Sequence, residues 1–203
     1  MGKHDPKLFF TPLSLAVWYG NTEEVESLIV KGHSVDEALK QCDGSSCDQS
    51  PTLNIVFDAG ELKFHLRPTR TGAGPVNITP LMVAAIKDNL EIVKLLVENG
   101  ASRFQEDITS KTALSYAAMS GGFKCVKYLL NGFKNAYASE FAAINCATMC
   151  GNLEAVKLLV DQAFDSNLKP GSRLSGAFAL AQLHKQDQVA TYLAHRMIPE
   201  RIC

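Results

Sequence analysis

The feature that most constrains this chain is internal repetition. Thr79-Pro80-Leu81-Met82-Val83-Ala84-Ala85 is followed, after Asp88-Asn89, by Ile92-Val93 and Leu95-Leu96 and then by Gly100. The same order of capping, small, turn and apolar residues restarts at Thr112, 33 residues after Thr79. A third copy opens at Thr11 and a fourth runs over 142–160 after a shortened connection. A fifth, degenerate copy begins near Ser175 and keeps Ala181, Val189 and Leu193. Self-similarity at a fixed period decides a fold before any local propensity does, because each unit is one supersecondary element whose apolar face needs a neighbour.

Each copy follows the same physical logic. Thr79 places a hydroxyl before Pro80, so a capping side chain precedes a proline at the first helical position, where the missing N–H costs nothing. Leu81, Ala84 and Ala85 give a short helix with a small-residue face. Asp88-Asn89, Gly121-Gly122 and Gly151-Asn152 tolerate the left-handed backbone of a tight helix–helix turn. Ile92, Val93, Leu95 and Leu96 drive a second helix with a wide apolar face, and Gly100 ends it. The Thr-Pro-Leu start and the period resemble the ankyrin repeat, over some 150 residues and five copies.

That resemblance implies an all-α solenoid of stacked helix–turn–helix units with projecting fingers and a concave face. On this reading residues 1–203 form a single domain, with repeats near 7–36, 75–107, 108–137, 138–170 and 171–203. The family's signature histidine is replaced by Ser14, Met82, Ser115 and Asn145, so its threonine–histidine hydrogen bond is absent.

The first and second copies start 68 residues apart, at Thr11 and Thr79, about twice the repeat. The intervening residues do not read as a hidden copy. Ser34 followed by Glu37 predicts a capping box and a short helix over Val35–Gln41. Leu53–Phe57 and Leu62–Leu66, joined at Asp58-Ala59-Gly60, predict a β-hairpin, the second strand alternating apolar and polar. Residues 37–77 are therefore an insertion.

The formal net charge of -1 argues against a general nucleic-acid binder. No apolar run reaches bilayer length and the N-terminal residues lack a signal core, so the chain reads as soluble and cytoplasmic. The six cysteines read as reduced thiols in a chain this apolar, with Cys42 and Cys47 alone placed to pair. No cofactor or metal motif is present. Cys146 and Cys150 lie one helical turn apart, but Cys146 aligns with the core positions Val83 and Tyr116. A Cys150–His184 pair is the one catalytic constellation worth naming, and stacking distances between repeats disfavour it.

Partners of ankyrin-like domains usually contact the variable positions before the Thr-Pro and late in the first helix. The alignment carries these onto Phe10, Trp18 and Tyr19, then Ile78, Ile86 and Lys87, then Lys111, Met119 and Ser120, then Phe141, Met149 and Cys150. The degenerate copy contributes Leu174, Gln182 and Leu183. So many aromatic and aliphatic side chains on a solvated groove mark an interface, or a surface that the hairpin folds back to cover. The expected function is a scaffold that binds another protein or peptide without nucleic acid, membrane or cofactor. An adaptor role, or that of a bacterial effector in a host cytosol, fits the irregular repeat lengths. The competing reading is an enzyme with its chemistry in 37–77 or at Cys150.

Overall fold

The computed structural model describes residues 11–38, 50–58, 61–69, 77–107, 109–131, 137–164 and 171–197. Ten helices make five pairs: α1 (Pro12–Tyr19) with α2 (Thr22–Val30), α3 (Pro80–Ile86) with α4 (Leu90–Glu98), and α5 (Ala113–Ser120) with α6 (Phe123–Leu130). The last two are α7 (Tyr137–Met149) with α8 (Leu153–Phe164) and α9 (Gly171–Leu183) with α10 (Asp187–Met197). The strands β1 (Ser50–Asp58) and β2 (Glu61–Thr69) pair antiparallel, with Leu53 opposite Leu66 and Asp58 opposite Glu61.

One turn is made five times. The residue that leaves each inner helix has positive φ: Gly20 at 71°, Asp88 at 53°, Gly121 at 77°, Gly151 at 73° and Lys185 at 55°. The next N–H then reaches back five residues to a carbonyl, from Asn21, Asn89, Gly122, Asn152 and Gln186 to Ala16, Ala84, Ala117, Ala147 and Ala181, at 2.8–3.2 Å. This is the Schellman closure, which satisfies a helix-end carbonyl and reverses the chain in one residue. The acceptor is alanine in every copy, and all five alanines are buried. At α2 and α4 the outer helix closes the same way, with Gly32 and Gly100 left-handed and His33 and Ala101 donating to Leu28 and Leu96.

The starts are less uniform. Thr11 and Thr79 cap α1 and α3 by accepting from the Ser14 and Met82 N–H groups. In the first copy the Thr11 hydroxyl also donates to the Ser14 hydroxyl at 3.0 Å, in place of the family's threonine–histidine bond. Thr112 makes no such cap, and its hydroxyl and that of Ser115 are buried without a partner. Where the threonine itself is missing the inner helix runs on: α7 and α9 are 13 residues long, against 7 or 8 for α1, α3 and α5. The predicted helix after Ser34 is corrected over its described part: Val35-Asp36 is a turn and Glu37-Ala38 is irregular, while 39–41 lie outside the described residues. The Asp36 carboxylate does not cap a helix there; it accepts from the Ser102 N–H at 2.9 Å, tying one finger to the next.

Inner helices pack on inner helices from α1 through α3, α5 and α7 to α9, and outer helices pack on outer helices, less closely. Ala84, Ala85, Ala117 and Ala118, at most 0 % exposed, let the inner row approach. The outer row carries larger side chains such as Leu96, Leu129 and Leu159. Leu96, Val126, Leu129, Val156 and Leu159 are fully buried between repeats, whereas Leu95 is half-buried. Truncating Leu129 to alanine will cost about 2–5 kcal/mol in a denaturant titration, the usual penalty for a cavity in a packed core. The exposed Lys127→Ala will stay within about 0.5 kcal/mol of the parent.

Candidate functional site

The left-handed residue of each turn gives the copies a common origin, and counting back from it aligns the late inner-helix positions. The residue immediately before it is Tyr19, Lys87, Ser120, Cys150 and His184 in turn. The residue before that is Trp18, Ile86, Met119, Met149 and Leu183. In the fifth copy this register differs by one residue from the sequence alignment, which had paired Gln182 and Leu183 with Met149 and Cys150. The aligned pair is Leu183 and His184, because α9 keeps one more residue before its turn.

The structure does not expose this stripe evenly. Tyr19 is 63 % exposed, Met149 41 % and Leu183 74 %. Trp18 and Met119 are half-buried and pack against the core cluster. Ile86 is only 5 % exposed and Ile78 is fully buried, so both are core residues rather than contact residues. Their sequence positions suggested exposure because a consensus position fixes where a residue sits, while its exposure depends on the size of its neighbours in adjacent repeats. Cys150 is likewise buried, at 9 %. Phe141 is half-buried, and Phe10 lies outside the described residues.

Hydrogen bonds between repeats hold the base of the stripe. The Asn152 side-chain amide donates to the Ala118 and Met119 carbonyls at 2.9 and 2.8 Å. Gln186, its counterpart one repeat on, donates to the Met149 carbonyl at 3.4 Å. Ser120 donates to the Ala85 carbonyl of the preceding repeat at 3.3 Å. The Asn152 and Gln186 turns thus cap the inner helices before them, which fixes the backbone under Met119 and Met149.

Two lysines adjoin the stripe. The Lys87 ammonium stands 4.0 Å from the centroid of the Trp18 ring, a cation–π contact, and desolvation draws its pKa below the ordinary lysine value. Lys111 is positioned by Asp107, a 5 % exposed carboxylate on the finger. Asp107 accepts from the Thr109 N–H at 2.7 Å, the Lys111 N–H at 2.9 Å and the Tyr116 hydroxyl at 2.5 Å. Burial, and then that bond to Asp107, push the Tyr116 phenol far above its usual range.

The chemistry available to the cysteines is limited by burial. Desolvation pushes the Cys150 thiol up to about 12, and that of Cys146 to about 11. Burial, helped by the neighbouring Asp88 carboxylate, lifts Cys125 to about 12. A nucleophilic cysteine needs the opposite shift. Among the described residues no group of three or more histidines, cysteines or carboxylates is placed to hold a metal ion. An open groove of about 860 Å³ between the outer helices, lined by Glu26, Asp88, Glu91, Lys94, Glu98 and Phe123 among others, mixes both signs of charge. Cys42, Cys47 and Cys203 lie outside the described residues.

Comparison with known proteins bears on the repeats. A family model for ankyrin repeats (3 copies) matches residues 61–139. An ankyrin repeat and KH domain-containing protein of Caenorhabditis briggsae is 30% identical over 197 residues, covering 92% of this chain and 7% of its own length. Alpha-latrotoxin-Lg1a of Latrodectus geometricus is 26% identical, covering 90% of this chain and 14% of its own length. The ankyrin repeat and KH domain-containing protein mask-1 of Caenorhabditis elegans is 28% identical over 74% of this chain and 7% of its own. The chain therefore spans a small part of these relatives. The likeness supports the helical stack and lends no support to a hairpin insertion as part of the fold. Among the described residues no helix is long and apolar enough to cross a membrane. With five matching turns, the stacked helix pairs and these likenesses together, the chain belongs to the ankyrin-repeat family.

Proposed function

We propose that this chain is a protein-interaction scaffold that holds a segment of another protein against its concave face. The observation that carries the reading is the exposure of large apolar side chains at equivalent places in separate repeats, with Met149 41 % and Leu183 74 % exposed on adjoining units. A solenoid sets equal positions in line, so these two side chains, with half-buried Met119 beside them, form the open end of one stripe. Apolar surface left in line on a rigid backbone is what a groove offers to an amphipathic helix or an extended strand. Methionines suit this use because their unbranched side chains adjust to a ligand. The half-buried Trp18 and exposed Tyr19 supply a second anchoring point at the other end of the stack. Three unpaired thiols, Cys125, Cys146 and Cys150, suit a reducing compartment such as the cytoplasm.

The test uses a peptide ligand selected from a random display library on the native protein. Met149→Ser combined with Leu183→Ser removes apolar contact without adding charge. It will weaken the selected peptide by on the order of tenfold or more, about 1.4 kcal/mol, with the thermal midpoint nearly unchanged because both side chains are exposed. Binding that survives the double substitution would place the partner elsewhere.

A second measurement addresses chemistry at Cys150. The folded pKa values of Cys125, Cys146 and Cys150 lie above the ordinary thiol value of 9.0. The folded state therefore holds protons that the unfolded chain releases first. Stability from these groups is intact below pH 9 and is lost as pH rises through about 11 to 12. Native protein at pH 8 will alkylate at Cys150 far more slowly than urea-unfolded protein. Alkylation at the rate of a free cysteine would contradict the buried thiol and restore the catalytic reading.

A further inference from the structure

We infer that the segment held on the concave face is an acidic one, in which aspartate and glutamate alternate with apolar residues. This rests on the scaffold reading above and adds the chemistry of the partner. At two positions of each repeat that adjoin that face no described copy has a carboxylate. The residue before each turn is Tyr19, Lys87, Ser120, Cys150 or His184, and the residue ten before the left-handed one is Ile78, Lys111, Phe141 or Ser175, with Ile78 and Cys150 buried. The outer helices carry both signs, with Glu23, Glu24, Glu26, Glu91, Glu98 and Glu154 beside Lys94, Lys124, Lys127 and Lys157.

The two lysines are also left without an opposite charge. Lys87 rests over the Trp18 ring at 4.0 Å, and the Lys111 ammonium donates to the Thr109 hydroxyl at 2.6 Å. Neither forms an ion pair with a described residue; the ion pairs there are Lys157–Glu154 within α8 and Arg196–Asp161 between α8 and α10. Asp107 on the finger and Glu140 beside Phe141 are buried at 5 % and 7 %, while Glu106 on the finger is exposed. Asp107 has its oxygens occupied by Thr109, Lys111 N–H and Tyr116, and desolvation raises the Glu140 pKa toward the neutral form. Neither offers exposed negative charge to neutralise the lysines.

The geometry then sets the pattern of the ligand. Lys87 stands in the stripe itself, at the tail of α3, while Lys111 stands at the head of α5. An inner helix of this size is about 12 Å long, so one acidic group meets Lys87 beside the apolar contacts and another reaches Lys111 across the face. Apolar residues of the same segment lie on Met119, Met149 and Leu183. A basic segment would bring like charge against both lysines, which discriminates against it.

The test separates this inference from the scaffold reading. A display library of random peptides is selected on the native protein, and the enriched peptides are synthesised and titrated by fluorescence anisotropy. The expected result is enrichment of acidic–apolar sequences whose affinity falls roughly tenfold in high salt and also in Lys87→Gln/Lys111→Gln, with an unchanged thermal midpoint. Neutral or basic peptides, or acidic ones indifferent to the lysine changes, overturn the inference; if these are still lost in Met149→Ser/Leu183→Ser, the scaffold reading stands. Peptides indifferent to both double variants, or no enrichment at all, overturn both.

Discussion

The left-handed turn that leaves each inner helix is the constraint on which the rest of the structure depends. It works only if one residue accepts positive φ and if the alanine five residues before the donor leaves its carbonyl open to that N–H. Glycine meets the first requirement without cost at Gly20, Gly121 and Gly151. Asp88 and Lys185 meet it as non-glycine residues, aspartate at less cost than lysine. Because the turn is the same each time, each outer helix returns along its inner helix at the same angle, and successive pairs stack in register.

The proposed function follows from that register. The side chains just before the turn are carried to the same place in every repeat, so residues distant in sequence become neighbours along one line. The turn residue after each, Asn152 or Gln186, bonds back to the preceding inner helix and ties the line together. The result is a rigid backbone bearing adaptable side chains, which lowers the ordering cost of holding a ligand.

Most of the fold was legible in the sequence because its determinants are local. Thr79-Pro80, Asp88-Asn89 and Gly100 each act through their own backbone, and their repetition multiplied a weak signal. Exposure was harder to read because it is not local. Ile86 and Met149 hold the same place in their repeats, yet one is 5 % and the other 41 % exposed. The difference comes from neighbouring units, which no alignment of single repeats displays. The fifth copy slipped by one residue for a related reason: without Thr-Pro or glycine to anchor it, only the positive φ of Lys185 marks its turn. Asp107 and Asn152 were missed as positioning residues because a buried hydrogen-bonding hub has no period of its own.

The most direct measurement of the central claim is a methyl-labelled NMR titration of the methionines with a selected peptide. Met82 is 1 % exposed in the core, Met149 is 41 % exposed, and Met119 is half-buried beside it, so the chain carries its own internal control. The account predicts that the Met149 methyl signal moves most, Met119 follows and Met82 stays in place. A saturating peptide that leaves Met149 unmoved would contradict it.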